Sequence, residues 1–248
     1  MRKHLISLMI LLSGGFSLSA QDTVPEKTSP FNPGCDLVSR YVWRGQLLDR
    51  SPNIQPWVEY APAFGLRIGA LGSYSFSGDY AEVDLYLGYG YQGFSLMLTD
   101  YFVMDESLEN NRFFDYRKGI TGHLLEGTLS WEGPEKVPLK LTAATMFYGA
   151  DMKVDHVVID TSLNDTTAYY VNQYSTYFEA AWSFRHFSVF AGITPAAGFY
   201  GNGFGLVNLG ISADRDIRLG KNYSIGLRAS LITNPQRQNI YLVLGITL

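Results

Sequence analysis

The sequence predicts an all-β protein, a transmembrane antiparallel up-and-down β-barrel of about twelve strands. The first observation behind this is a two-residue period: Ala81, Val83, Leu85, Leu87, Tyr89 and Tyr91 alternate with Glu82, Asp84, Tyr86, Gly88 and Gly90. After Gln92-Gly93, a span that only a hairpin turn can fill, Phe94, Leu96 and Leu98 alternate with Ser95, Met97, Thr99 and Tyr101. Each run has one oily and one polar face, and the turn makes them a strand pair. The second observation is the placement of aromatics. Tyr89, Tyr91 and Phe94 flank the turn and Phe102 marks the far end, with Val83, Leu85, Leu87, Leu96 and Leu98 between, as girdles flank the apolar band of a bilayer-spanning hairpin. The third is composition: aromatics make up 15% of 248 residues, with 17 Tyr and 25 Gly, yet mean hydropathy is only -0.01. Alternating strands average out in this way.

Residues 1–20 read as a secretory signal peptide, with Arg2 and Lys3, an apolar run from Leu5 to Leu12, and Leu18-Ser19-Ala20 before a cut near Ala20; Ser17-Leu18-Ser19 would move the cut one residue earlier. No later run of about 18 apolar residues follows, so no spanning helix is expected. Losing Arg2 and Lys3 takes the formal net charge from -4 to -6, which argues against nucleic acid as a partner. One cysteine, Cys35, remains, far from the cut and with no lipobox before it, so neither a disulfide framework nor a lipid anchor is expected. Residues 21–34 are polar, with Pro25, Pro30 and Pro33, and read as a flexible periplasmic leader. Residues 35–248 then form the barrel.

The first strand is expected over Asp36 to Arg44, with Leu37, Tyr41 and Trp43 on one face and Val38, Arg40, Val42 and Arg44 on the other. The second alternates Ile54, Pro56, Val58 and Tyr60 against Gln55, Trp57 and Glu59, although Pro56 suits an edge better than a central strand. A tight turn from Pro62 to Gly65 leads to the third, Leu66 to Phe76, and the hairpin described above supplies the fourth and fifth. Met104 to Gly119 is charged and lacks alternation, so it reads as an exposed loop. The sixth strand runs from Leu124 to Trp131; the seventh has Leu139, Leu141, Ala143, Thr145 and Phe147 outward and Lys140, Thr142, Met146 and Tyr148 inward.

Gly149 to Asn172, rich in Asp and Thr, reads as the longest irregular connection. Strands follow at Tyr174 to Phe184, Phe187 to Ile193, Gly205 to Ala213, Tyr223 to Leu231 with Arg228 inward, and Ile240 to Leu248. The terminal alternation Ile240, Leu242, Leu244, Ile246 and Leu248 closes the sheet. It also resembles the sorting signal read by the barrel-assembly machinery, with Leu248 where Phe is usual. With the leader in the periplasm, the two longest connections both face outward and the alternate turns are mostly short, as in bacterial barrels.

Val38-Ser39-Arg40-Tyr41-Val42-Trp43-Arg44-Gly45, then Ile54-Gln55-Pro56, Glu59-Tyr60, Gly69 to Gly72, and Glu82-Val83-Asp84-Leu85-Tyr86-Leu87-Gly88-Tyr89 resemble the amino-terminal half of the TorF-type porin family, outer-membrane barrels with Bacteroidetes relatives. The resemblance spans Asp36 to Asp105. It implies a bacterial outer-membrane location and a channel role, and it carries over no catalytic or binding residue.

The inward-facing charged set is Arg40, Arg44, Glu59, Arg67, Glu82, Asp84, Glu126, Lys140, Glu179 and Arg228. Ionised groups inside a barrel must meet water or one another. Two readings fit: a structural network filling a narrow lumen, in which Glu59 and Arg67 pair across a periplasmic turn, or a polar pore whose acidic and basic walls set selectivity. The near balance of signs argues against a strong ion preference. Asp100 shares the lipid-facing phase of Leu98 and Phe102, so either the strand has left the apolar band there or a bulge shifts its phase.

Gly88-Tyr-Gly90-Tyr-Gln-Gly93 has the spacing of a dinucleotide fingerprint but is followed by a strand where that motif needs a helix. No cofactor is expected. Asp151, Asp155, Asp160 and Asp165 do not fit an EF-hand, so no metal site is expected either. A lipid-modifying enzyme in the wall would need a nucleophile and a base within reach, and His123 on the oily face, His156 in a loop and His186 in a turn meet no serine. The expected function is passive passage of small polar solutes, with membrane lipid and lipopolysaccharide around the wall. The other reading is a non-conducting structural or receptor barrel that acts through its long loops.

Overall fold

The computed structural model describes residues 29–104, 111–160, 165–220 and 223–248; the signal peptide and most of the leader lie outside these. The described strands are β1 (Phe31–Val38), β2 (Tyr41–Trp43), β3 (Gln46–Asp49), β4 (Asn53–Tyr60), β5 (Leu66–Ser75), β6 (Ala81–Tyr91), β7 (Phe94–Val103), β8 (His123–Glu132), β9 (Leu139–Gly149), β10 (Met152–Asp160), β11 (Asp165–Asn172), β12 (Thr176–Ser183), β13 (Ser188–Thr194), β14 (Gly205–Arg218), β15 (Ser224–Asn234) and β16 (Asn239–Thr247). Twelve of them close a barrel in the order β1, β16, β15, β14, β13, β12, β9, β8, β7, β6, β5, β4, with every neighbouring pair antiparallel. The barrel is all-β, up-and-down and twelve-stranded.

The outer wall explains why the chain adopts it. Ile68, Leu85, Leu87, Leu96, Leu98, Leu129, Leu209, Leu231, Leu242 and Leu244 all stand exposed on its surface. A continuous band of this kind needs hydrocarbon around it. At the end carrying the chain termini the band stops at aromatics: Phe31 against Tyr60, Phe94 against Trp131, and Phe184 stacked on Phe187. All five connections at that end are short, and the tightest is Gln92-Gly93, both residues at positive φ as a type I′ hairpin requires. The other end carries the long connections.

Three elements depart from the sequence reading, and the strand carrying Pro56 keeps its expected place. The first wall strand lies at Phe31–Val38, so the last residues assigned to the leader, Phe31 to Gly34, pair with Trp57 to Tyr60 of β4. The alternation continued past Val38 because β2, which has left the wall, alternates as well. Pro56 sits on β4 between β1 and β5, and the ladder to β5 skips it, pairing Ile54 with Tyr74 and next Trp57 with Leu71. The segment expected to be irregular after β9 is instead the β10–β11 hairpin, whose strands pair only with each other among the described residues while Asn172 donates to the Phe147 carbonyl of β9. A bulge between Leu125 and Glu126 brings Tyr148 opposite Leu125, so Tyr148 faces outward and its hydroxyl donates to the Tyr116 carbonyl.

A hairpin across the lumen and the groups that hold it

The connection from β1 to β4 folds into the barrel. Its strands β2 and β3 meet at Arg44-Gly45, where both residues have positive φ (48° and 75°), a two-residue type I′ turn. Gly45 is required twice over: its backbone is left-handed, and a Cβ there would lie 2.0 Å from the Val207 carbonyl oxygen of β14. Asn234 of β15 donates to the Gly45 carbonyl at 3.2 Å, so the hairpin tip is fastened to the wall two strands away from β1.

The hairpin carries a core with it. Tyr41 and Trp43 are buried with Tyr101, Ala144, Met146, Tyr177, Tyr200 and Val207, and Leu48, Tyr80 and Leu124 pack against them. Each large side chain removed from water contributes roughly 2 kcal/mol, so this aromatic plug is a stable filling. Tyr200 comes from the connection between β13 and β14, which also folds inward. Gln46 donates to its carbonyl at 2.8 Å, and Asp151 holds the neighbouring Ser175, whose hydroxyl accepts from the Phe199 amide.

At the centre lies Arg44. Its guanidinium donates to both oxygens of Glu126 on β8, at 2.5 and 2.9 Å, and to the Tyr200 hydroxyl. It stands over the Trp43 ring at 4.5 Å and the Tyr177 ring at 4.9 Å. Glu126 also accepts from Tyr200 at 3.0 Å, Tyr101 at 3.2 Å and Thr128 at 2.8 Å. A left-handed conformation at a non-glycine residue costs about 1–2 kcal/mol, and the bonds to Glu126 hold Arg44 in it. One cation therefore ties the hairpin to β8 and to the inward loop.

The other charged residues that were expected to line the lumen separate into several groups. Arg40 lies in the bend between β1 and β2 and Arg44 at the hairpin tip, so neither belongs to a wall strand. Arg67 donates to Glu59 at 2.6 and 2.9 Å across the β4–β5 turn, joined by Tyr86 at 3.3 Å. Arg228 donates to Asp214 at 2.7 Å. Glu179 accepts from Asn208 at 2.9 Å and from Tyr177, and Lys140 lies within electrostatic reach of Glu132 and Glu179. Glu82 and Asp84 are buried on β6 beneath the hairpin, and among the described residues both oxygens of Asp84 and one of Glu82 have no hydrogen-bond partner.

One cluster lies on the outer face. Asp100 keeps its lipid-facing phase in an unbroken register with Leu85 and Leu125. Its carboxylate is covered: His123 Nδ1 lies 2.8 Å from it and the Tyr116 hydroxyl donates at 2.7 Å. The other ring nitrogen of His123 meets the Phe113 carbonyl at 2.5 Å, and Tyr116 stacks on the ring at 4.0 Å. The loop before β8 thus folds down the wall and buries His123 and Phe102, so Phe102 faces protein where a lipid-facing girdle residue was expected. In that loop the Arg117 guanidinium holds the Asp115 carboxyl down to about 2, and burial, with the Asp100 carboxylate, pushes the Tyr116 hydroxyl up to about 12.

Of the remaining histidines, His156 pairs with Asp155 on the exposed β10 and His186 lies in the β12–β13 turn. Among the described residues no three His, Cys, Asp or Glu converge as metal ligands. The hairpin plug was not visible as a site in the sequence; its one local signal was Arg44-Gly45 after an aromatic pair.

No family model matches the chain, and no curated protein matches it in sequence. The resemblance to the TorF-type porins therefore stays a likeness of motifs. A solved structure described as "KdgM porin" matches over 87% of this chain and 96% of its own, with a TM-score of 0.43 and 8% sequence identity. So distant a likeness carries no residue and no substrate across.

Proposed function

We propose that the protein is a channel-type barrel of the bacterial outer membrane that keeps its own passage closed, admitting small polar solutes when the β2–β3 hairpin leaves the lumen. The observation that carries this reading is the mode of attachment. The hairpin belongs to no wall strand and is held by side chains converging on Arg44. Beside and beyond the plug the interior wall is polar, with Gln55 bonded to Ser73, Ser95 to Ser130 and Ser212 to Ser230, which suits water and small hydrophilic solutes once the plug moves. Export by the signal peptide, insertion through the alternating β16, and lipid with lipopolysaccharide around the apolar wall complete the reading.

The test is single-channel recording of the refolded mature protein in a planar bilayer, beside Glu126→Gln. The wild type is expected to be closed with rare discrete openings, and the variant to open at least about tenfold more often, as a loss of about 1.4 kcal/mol in the closed state gives. Silence from both proteins, when shown to be folded and inserted, would overturn the channel reading.

A receptor barrel is the second reading, and one observation favours it. The β10–β11 hairpin leaves Val157, Ile159, Tyr169 and Tyr170 exposed outside the barrel. Deleting residues 152–172 would leave conduction intact and abolish recognition under that reading.

A further inference from the structure

We propose that Glu82 and Asp84 form a binding site for a hard divalent cation of the calcium class, placed between the wall strand β6 and the inserted hairpin. Two residues apart on one strand, these carboxylates face the same way, into the barrel. Asp84 is fully buried and Glu82 nearly so, at 0% and 3% exposure. Among the described residues both oxygens of Asp84 and one of Glu82 lack a hydrogen-bond partner, the Phe102 amide standing near Asp84 without meeting hydrogen-bond geometry. Buried carboxylates in native folds are paired, hydrogen-bonded or bound to metal.

The other lumen acids have such partners: Glu59 has Arg67, Glu126 has Arg44 and Asp214 has Arg228. Among the described residues no cationic group acts on Glu82 or Asp84. Their surroundings are oxygen-rich. The hydroxyls of Tyr41, from the hairpin, and Tyr80 reach Glu82, while Ser73, opposite Glu82 on β5, is bonded to Asn53 and Gln55. Two carboxylates with neutral oxygens, and no imidazole or thiolate, make a donor set for a hard cation and a poor one for zinc or copper. Two negative charges match one divalent ion. Because Tyr41 belongs to β2, a bound cation would join the hairpin to β6 as Arg44 joins it to β8. The site stands whether or not the barrel conducts.

The test uses the refolded mature chain stripped with a chelator and titrated with terbium, whose luminescence nearby tyrosines sensitise. A single saturable signal is expected, displaced by calcium and weakened at least about tenfold in Asp84→Asn and in Glu82→Gln, with Asp115→Asn unchanged. In parallel, calcium should raise the thermal unfolding midpoint of the wild type, as any ligand of the folded state alone does; this decides the matter even where a variant fails to fold. Absence of a saturable signal, a signal that survives in both variants, or a midpoint indifferent to calcium would overturn the proposal and leave protons as what neutralises the pair.

Discussion

Arg44, at the tip of a hairpin that belongs to no wall strand, forms a two-bond ion pair with Glu126, 82 residues away on β8, and both side chains are shut off from water. The pair is a fastening more than a source of net stability, since two charges must first be desolvated. What it supplies is position: the hairpin can satisfy its guanidinium at one place on the wall.

That distinction is measurable. Removing one partner strands a buried charge, so Glu126→Leu should lower the unfolding free energy by about 3 kcal/mol or more. Removing both, as Arg44→Met with Glu126→Leu, should recover most of the loss, because the aromatic surroundings accept an apolar side chain. Urea unfolding of the four proteins closes the cycle. Additive losses would show that the two residues act independently.

Gly45 makes a second prediction. Alanine there meets a left-handed backbone and the Val207 carbonyl oxygen at 2.0 Å, a backbone atom that cannot step aside. Gly45→Ala should back the hairpin tip away from β14 and open the cluster around Trp43. Trp43 is 5% exposed, so quenching of tryptophan fluorescence by aqueous iodide should rise. Quenching equal to the wild type would mean that the tip contact does not set the hairpin's depth.

The barrel was legible in the sequence and the plug was not, and the cause lies in what alternation reports. A two-residue period records that one face meets oil and the other does not, which holds for the wall around Leu85 and Leu96. It also holds for β2, where Tyr41 and Trp43 meet the plug core and no lipid; hence the run from Asp36 to Arg44 read as one strand through the bend at Ser39 and Arg40. The β10–β11 hairpin was missed for the opposite reason, as neither of its faces is buried against a sheet. Glu59 and Arg67 could be paired from the sequence because they flank a short turn. The partner of Arg44 could not, since that contact depends on how the barrel closes. Asp100 looked misplaced among lipid-facing residues because a loop more than ten residues further on covers it.

That loop should come loose when its acceptor is weakened. His123 presents both ring nitrogens to oxygens, Nδ1 to the Asp100 carboxylate and Nε2 to the Phe113 carbonyl. Asp100→Asn removes the negative partner and a charge-assisted bond worth about 1.5–3 kcal/mol, so the opened state of the loop should become roughly 10- to 100-fold more populated. Trypsin cleavage after Arg112, Arg117 or Lys118 in intact proteoliposomes should accelerate accordingly. A rate equal to the wild type would show that the apolar cover on Phe102 alone holds the loop.

Tyr116 gives the same loop a dependence on pH. Burial first, and then the Asp100 carboxylate that its hydroxyl faces, push its pKa up to about 12. The folded state thus favours the neutral phenol. The contribution is complete below the ordinary tyrosine pKa of about 10 and is lost as pH rises through about 12. Nitration by tetranitromethane requires the phenolate, and at mildly alkaline pH Tyr116 should hold far less of it than an ordinary surface tyrosine. Tyr116 is 41% exposed and Tyr170 54%, and Tyr116 should be nitrated far more slowly, by up to about 100-fold, the fall in phenolate fraction that a rise from the ordinary value of about 10 to about 12 gives. Asp100→Asn should close part of that gap by removing the facing charge, the part due to burial remaining. Equal rates at the two tyrosines in the wild type, read by mass spectrometry of the peptides, would show that Asp100 does not hold the Tyr116 proton.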